Sequence, residues 1–296
     1  MSTTVQQDPS VRAPSPRPQR TRRPLTPGRA ALYVVLVVLV AVFVFPLLWA
    51  LSASFKARGD IFSYPPSLLP SPATLENYRN LLSTQPFWSW FATSTLVAVL
   101  STVVAVFVCA LAGFGFAKYE FRGKRILFDV MFSSLAVPFA VIVVPLFIVL
   151  VKSGVTEPLV TLIVPWVAPA FGIFMMRQFI EQSVPDEILE SARLDGCSEF
   201  RTFLQMVLPL MRPALGALAV WNFLNSYNSF IWPLVIVSDP DRFTLPLGIQ
   251  ALYGAQSRQI DMVIAASVLA AIPSLVVFVL LRRQLLEGLT AGAVKS

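Results

Sequence analysis

Five long stretches of this chain carry no charged residue and a sixth carries one, and that pattern governs what it can fold into. The charge-free runs are 30–51, 87–116, 158–176, 213–237 and 262–281; the sixth, 126–151, contains Asp129 near its start. A helix rises about 1.5 Å per residue, so ~20 residues cross the ~30 Å hydrocarbon layer of a membrane. In that layer every backbone N–H and C=O must be bonded within the protein, which leaves helices or closed barrels. Runs this long, without strand-like alternation, select helices. The expectation is an all-α membrane protein of six spans. Charged residues make up 13% of the chain, against about 25% in soluble domains, in keeping with that expectation.

Lys and Arg set the orientation, because cytoplasmic segments hold the excess. With the N-terminus inside, seventeen of the 23 fall on the cytoplasmic side (residues 1–29, 118–125, 177–212 and 282 onward) and six on the other. Both termini are therefore expected in the cytoplasm. The same asymmetry accounts for most of the net charge of +7 without nucleic acid, since juxtamembrane cations meet anionic lipid headgroups. Residues 1–29, rich in Pro, Ser, Gln and Arg, read as a disordered basic arm. They are not a signal peptide, because the apolar run that follows is too long and lacks a small-residue cleavage site. Residues 30–283 form the membrane domain, and 284–296 a cytoplasmic tail.

Several chemistries are excluded. The chain has no His, and its two cysteines, Cys109 in an apolar run and Cys197 in a polar loop, offer none of the clustered spacings of a metal or disulfide framework. There is no phosphate-binding Gly-x-x-x-x-Gly-Lys-Ser/Thr loop. No cofactor is expected. A membrane-embedded enzyme would need converging nucleophile, base or metal ligands. An ion-coupled carrier usually places ionisable groups at mid-span. Neither pattern is present. Asp129, one turn after Arg125, reads as a headgroup-level ion pair, and Asp261 as a hydrated residue opening the last span. Trp49, Trp88, Trp90, Trp166 and Trp232 read mainly as interface anchors. A short helix is expected over 74–82, capped by Thr74. Pro138, Pro145, Pro165, Pro169 and Pro233 are tolerated within spans where neighbours satisfy the freed carbonyls.

Between the fourth and fifth spans lies the polar loop 177–212. Pro185 suits a first helical position behind a Ser183 or Val184 cap, and Asp186 and Glu187 favour the positive end of the helix dipole. Gly196 suits a left-handed stop. Ser198 can cap a second helix running from Glu199 to about Val207, which Pro209 would end. Ala192 and Gly196 are small enough for close approach by a partner, and Ile188, Leu189 and Leu194 offer an apolar face. From these features alone, the loop is either an amphipathic interfacial linker or a docking element.

The loop also resembles the cytoplasmic signature of permease subunits of binding-protein-dependent ABC importers: Glu-Ala-Ala, three residues, Gly, nine residues, Ile, any residue, Leu-Pro. Here Glu190-Ser191-Ala192 leads by the same spacing to Gly196, then Met206, Val207, Leu208 and Pro209. The segment FAKYEFRGKR at 116–125, the tail GLTAGAVKS at 288–296, and Phe230-Ile231-Trp232-Pro233-Leu234 resemble the shorter permease of the carbohydrate (maltose-type) group. One departure is Tyr227-Asn228-Ser229, where that group commonly has Trp-Asn followed by an acidic residue.

The resemblance implies a type I ABC importer permease fold in a bacterial or archaeal cell membrane. It implies that Glu190, Ser191, Ala192, Gly196, Leu208 and Pro209 dock onto a pair of ATP-binding subunits, which hydrolyse the ATP. A second, non-identical permease and an external solute-binding protein would complete the machine. The implied cargo is a sugar or oligosaccharide, with a glycerol-phosphate ester or other polyol as the alternative. In the fifth span the spacing of Asn222, Asn225, Ser226 and Ser229 places them on one helical face. They read either as pathway contacts for a polyol or as interhelical hydrogen bonds.

Overall fold

A computed structural model describes residues 27–254 and 259–291. The basic arm therefore lies outside the described residues except for Pro27, Gly28 and Arg29, which open a helix. The chain divides into two compact units, Met1–Leu48 and Trp49–Ser296. In the first, the described part is helix α1 (Pro27–Ala53), whose last residues belong to the second.

The second unit begins with a proline-rich segment and α2 (Glu76–Thr84). Leu75, not Thr74, stands at the N-cap of α2 and makes no capping side-chain bond; the Thr74 hydroxyl accepts from the Glu76 N–H at 3.1 Å just outside the helix. Then follow α3 (Phe87–Lys118), α4 (Lys124–Ser133), α5 (Phe139–Lys152), α6 (Pro158–Ile163) and α7 (Ala170–Ser183). The polar loop supplies α8 (Asp186–Leu194), α9 (Glu199–Thr202), a π-helical turn (Phe203–Val207) and α10 (Leu208–Leu210). The chain closes with α11 (Arg212–Tyr227), α12 (Ile231–Ile236), α13 (Leu245–Gly254) and α14 (Ile260–Ala291). Every regular element among the described residues is helical.

Among the described residues, three helices are long and apolar enough to cross a membrane unaided: Ala30–Ala53, Phe87–Lys118 and Ile260–Leu285. The remaining expected spans are bent. Lys124–Ala136 meets Phe139–Lys152 at 115°, and Pro158–Trp166 meets Ala170–Ser183 at 42°. Glu199–Leu210 meets Arg212–Tyr227 at 82°. The runs at 126–151, 158–176 and 213–237 are thus not single helices.

Proline chemistry explains the breaks. A proline lacks the N–H for the preceding turn, and its ring clashes with the carbonyl four residues back, but it fits a helix start. Accordingly Pro138 and Pro169 stand at the N-caps of α5 and α7, and Pro233 falls in the first turn of α12. Pro46, Pro145 and Pro273 instead lie inside α1, α5 and α14. Pro209 does not end its helix as expected: the π turn before it is followed by another helical turn to Leu210. The last span also extends past Arg282 and Arg283 to Ala291, absorbing part of the expected tail; residues 292–296 lie outside the described set.

The core centres on α3, which packs against α7 and α11. Near its C-terminal end, Cys109 and Phe114 meet Met176 and Ile180 of α7 and Phe203 of the loop. Toward its start, Phe87, Trp90 and Ala98 join Phe223, Leu245 and Met262. Two tryptophans are therefore core residues rather than interface anchors. Trp90 donates its indole N–H to the Pro240 carbonyl at 2.7 Å, and Trp232 to the Thr161 carbonyl at 2.9 Å. Buried indole N–H groups need such partners. Asp261 differs too: it is buried, not hydrated, with Arg58 Nε 3.8 Å from its carboxylate. The Arg125–Asp129 pair is present as expected, at 3.8 Å and exposed.

Close approach of α3 to α7 depends on Gly113. A Cβ there would lie 2.6 Å from Met176 Cβ and 2.8 Å from the Arg177 backbone N, and backbone cannot step aside as a flexible side chain can. Gly113→Val is expected to cost at least ~1–3 kcal/mol, the usual range for overpacking. It should lower the thermal midpoint of the purified protein; an unchanged midpoint would show that α3 and α7 separate freely.

Candidate functional site

The loop between α7 and α11 forms the candidate site. Its first helix starts one residue later than the sequence suggests, with Pro185 at the N-cap of α8. The helix ends in the arrangement that a left-handed glycine permits. Gly196 has φ +76°, its N–H donates to the Arg193 carbonyl at 3.0 Å, and the Cys197 N–H reaches the Ala192 carbonyl at 2.9 Å. The Ser198 hydroxyl accepts from the Arg201 N–H at 3.4 Å, capping α9 as expected. A helix, a tight reversal and a second helix result.

Burial sorts the candidate docking residues into two sets. Glu190, Ser191, Gly196 and Pro209 are exposed, and Leu208 is half-buried. Ala192 is fully buried, and Leu189, nearly so, belongs to the chain's own core. Ala192, expected to admit a partner, is covered by its own protein. Of the expected apolar face, Leu194 alone stands out, 89% exposed, with Ile188 half-buried. Phe200, 54% exposed, adds a second apolar side chain that the sequence reading missed.

What holds this loop is a polar clamp from the turn after α3. Lys118, whose side chain is 8% exposed, donates to the Val184 carbonyl at 2.5 Å and to Asp186 Oδ1 at 2.6 Å. Tyr119 donates its hydroxyl to Glu199 Oε2. Arg193 Nε donates to Glu199 Oε1 at 2.7 Å, tying α8 to α9 across the reversal. One end of α3 thus grips both helices. The pairing shifts proton affinities accordingly. The Lys118 ammonium holds Asp186 below its usual carboxylate range, and the Arg193 hydrogen bond, then the Tyr119 hydroxyl, does the same for Glu199. Burial, followed by the neighbouring Glu199 carboxylate, pushes the Tyr119 phenol up to about 12.

The four pathway candidates separate as well. α11 ends at Tyr227, so Ser229 lies beyond the helix and the four do not share one helical face. Asn222 and Ser226 are buried toward α3: Asn222 Nδ2 donates to Thr102 Oγ1 at 3.4 Å, and Ser101 Oγ donates to Ser226 Oγ at 3.1 Å. Asn225 is exposed and bonds only the Trp221 carbonyl of its own helix, at 2.8 Å. Ser229 is half-buried, Asn228 is exposed, and Tyr227 packs inward with its hydroxyl on the Ala270 carbonyl. Among the described residues no group of three or more Cys, Asp or Glu could hold a metal.

A carboxylate whose folded value is depressed adds stability above its unfolded value and loses it as pH falls through the folded one. The clamp should therefore hold from neutral pH down to the ordinary carboxylate values of 4.5 for Glu199 and 3.8 for Asp186, and loosen only below them. A spin label on Cys197 should keep constant mobility over that interval, while Glu199→Gln should mobilise it already at neutral pH. Equal mobility in the two proteins would show that the clamp does not hold the loop.

Comparison with known proteins places this geometry. Residues 109–285 match the family model described as binding-protein-dependent transport system inner membrane component. The arabinooligosaccharides transport system permease protein AraQ of Bacillus subtilis (strain 168) is 32% identical over 90% of this chain and 96% of its own. The diacetylchitobiose uptake system permease protein NgcG of Streptomyces coelicolor is 32% identical over 89% and 88%. The sn-glycerol-3-phosphate transport system permease protein UgpE of Escherichia coli (O1:K1 / APEC) is 30% identical over 87% and 94%. A crystal structure of a bacterial ABC transporter involved in import of the acidic polysaccharide alginate superimposes with a TM-score of 0.74 at 19% identity, covering 88% of this chain and 99% of that one. That likeness concerns the fold, which is the type I importer permease fold. The chain therefore belongs to the binding-protein-dependent transport system inner membrane component family, as a membrane permease subunit of an ABC importer.

Proposed function

We propose that this chain forms part of the path of an ATP-driven sugar or oligosaccharide importer, and that α8, Gly196 and α9 seat on an ATP-binding subunit. The six-span reading counts each bent pair as one span. Orientation with both termini in the cytoplasm rests on the seventeen-to-six distribution of Lys and Arg, and it puts the loop on the side where ATP is. The observation that carries the docking reading is exposure. Leu194 and Phe200 are exposed on a loop tied down by Lys118 and Tyr119, and Glu190, Ser191 and Gly196 are exposed as well. A second, non-identical permease would complete the path in the cell membrane, and a solute-binding protein would deliver cargo from outside.

The sugar reading draws on the relatives named for arabinooligosaccharide and diacetylchitobiose uptake. A glycerol-phosphate ester is the second reading, because UgpE is also a relative. Charge weighs against it. The stretches 87–117, 139–151, 158–176, 213–237 and 262–281 hold no Lys or Arg to meet a phosphate within the membrane. An uncharged polyol needs only amide and hydroxyl partners, which Asn225, Asn228 and Ser229 offer. Asn222 and Ser226 act instead as ties between α3 and α11.

With the complex in vesicles, uptake of an arabinooligosaccharide or diacetylchitobiose should require ATP and the ATP-binding subunits. Uptake by this chain alone on an ion gradient would refute the importer reading. Asn225→Ala should slow uptake without loss of thermal stability. Asn222→Ala should do the reverse, at a cost near ~0.6 kcal/mol for the lost interhelical contact. Cys197 should cross-link to a thiol placed in the cleft of the ATP-binding subunit; absence of the cross-link would remove the docking assignment.

A further inference from the structure

The polar clamp has counterparts along the whole of α3. This helix spans 32 residues, ~48 Å at 1.5 Å per residue. At its C-terminal end Lys118 and Tyr119 grip the docking loop. Midway, Ser101 and Thr102 bond Ser226 and Asn222 of α11. At its N-terminal end three side chains reach the segment before α13. Ser89 Oγ donates to the Asp241 carbonyl at 2.5 Å, the Trp90 indole donates to the Pro240 carbonyl at 2.7 Å, and Ser94 Oγ accepts from the Leu245 N–H at 2.7 Å. Gly248 of α13 lies so close to the Trp90 ring that a Cβ there would come within 2.3 Å of it.

Stiffness distinguishes α3 from the other routes out of the loop. The chain itself leaves the docking loop through α7 and α11. The first route meets a 42° break between Pro158–Trp166 and Ala170–Ser183. The second is broken at 82° on entering α11 and broken again between Tyr227 and Ile231. Helices bend at prolines and at interruptions in the hydrogen-bond ladder. α1 and α14 each carry an internal proline, Pro46 and Pro273, while α3 carries none and is unbroken from end to end. Displacement at one end of such a helix is delivered at the other, whereas a break absorbs it.

We infer that α3 is the strut that carries the ATPase stroke from the docking loop to the outer segment Pro240–Leu245, through Lys118 and Tyr119 at one end and Ser89, Trp90 and Ser94 at the other. The inference rests on the docking reading above and deepens it, naming the residues that route the motion. Lys118, Tyr119, Ser89 and Trp90 are positioning residues. Coupling between two sites is reciprocal in binding free energy, so the same strut relays a change at the outer segment back to the loop.

The test uses the assembled transporter in vesicles, with a spin label on Arg242→Cys in a Cys197→Ser background. ATP with orthovanadate is expected to shift the label's mobility in the otherwise native chain. Lys118→Met should abolish that shift, and so should Ser89→Ala combined with Trp90→Phe. Tyr119→Phe serves as a milder second variant at the loop end, and thermal midpoints show that each protein is folded. Cross-linking of Cys197 to the ATP-binding subunit is measured in parallel in preparations that retain this cysteine. Cross-linking retained with the shift lost from both ends supports the strut. Cross-linking retained with the shift persisting in the variants at either end overturns the strut and leaves docking intact. No cross-link in the native chain removes the docking reading, and the strut with it.

Discussion

A nearly buried ammonium group joins the polar part of this molecule to its apolar part. Lys118 ends a helix that is free of charge from Phe87 to Ala117, and its Nζ meets a backbone carbonyl and a carboxylate on the docking loop. Removing a charge from water is costly unless it gains hydrogen bonds in return, so these contacts define one seat for the loop. Exposed ion pairs contribute little stability; Arg193 and Glu199, about half-exposed, set the geometry of the reversal instead. Leu189 and Phe203 belong to the apolar layer beneath. The loop is a part held in place, with Leu194 and Phe200 turned outward.

The arrangement solves a mechanical difficulty. A lever on a flexible tether transmits nothing, yet a transporter must change shape. Here stiffness and compliance reside in different elements. α3 runs unbroken and free of proline, while the α4–α5, α6–α7 and α9–α11 runs are bent by 115°, 42° and 82°, and α1, α5 and α14 each hold an internal proline. Polar side chains inside the membrane region are used chiefly as ties, as with Ser101 to Ser226 and Asn222 to Thr102. On the proposed function, the chain would transmit motion and shape a path, with energy and cargo selection supplied by its partners.

Local features were legible in the sequence. Gly196 as a left-handed stop and Ser198 as a cap depend on neighbours within a few residues, and both are where their chemistry puts them. The apolar runs located the apolar helical segments, but composition does not report whether a proline continues a helix or starts another. Hence Pro138, Pro169 and Pro233 divide runs that read as continuous. The direction of a side chain on a short helix was not legible either: Ala192 faces the core and Leu194 the outside, although both read as parts of a docking face. The clamp was invisible because Lys118 and Asp186 are 68 residues apart, and Tyr119 and Glu199 are 80 apart. Asp261 looked hydrated because its burial comes from packing of the last helix against distant segments.

The central claim is that the docking loop and the C-terminal end of α3 move as one piece. Spin labels on Cys197 and on Arg122→Cys, in the turn after α3, measure it by pulsed electron resonance in the assembled transporter. The account predicts the same inter-label distance in the nucleotide-free and ATP-bound states. A change approaching one helical turn, ~5.4 Å, would show that the loop moves independently of α3 and would contradict it.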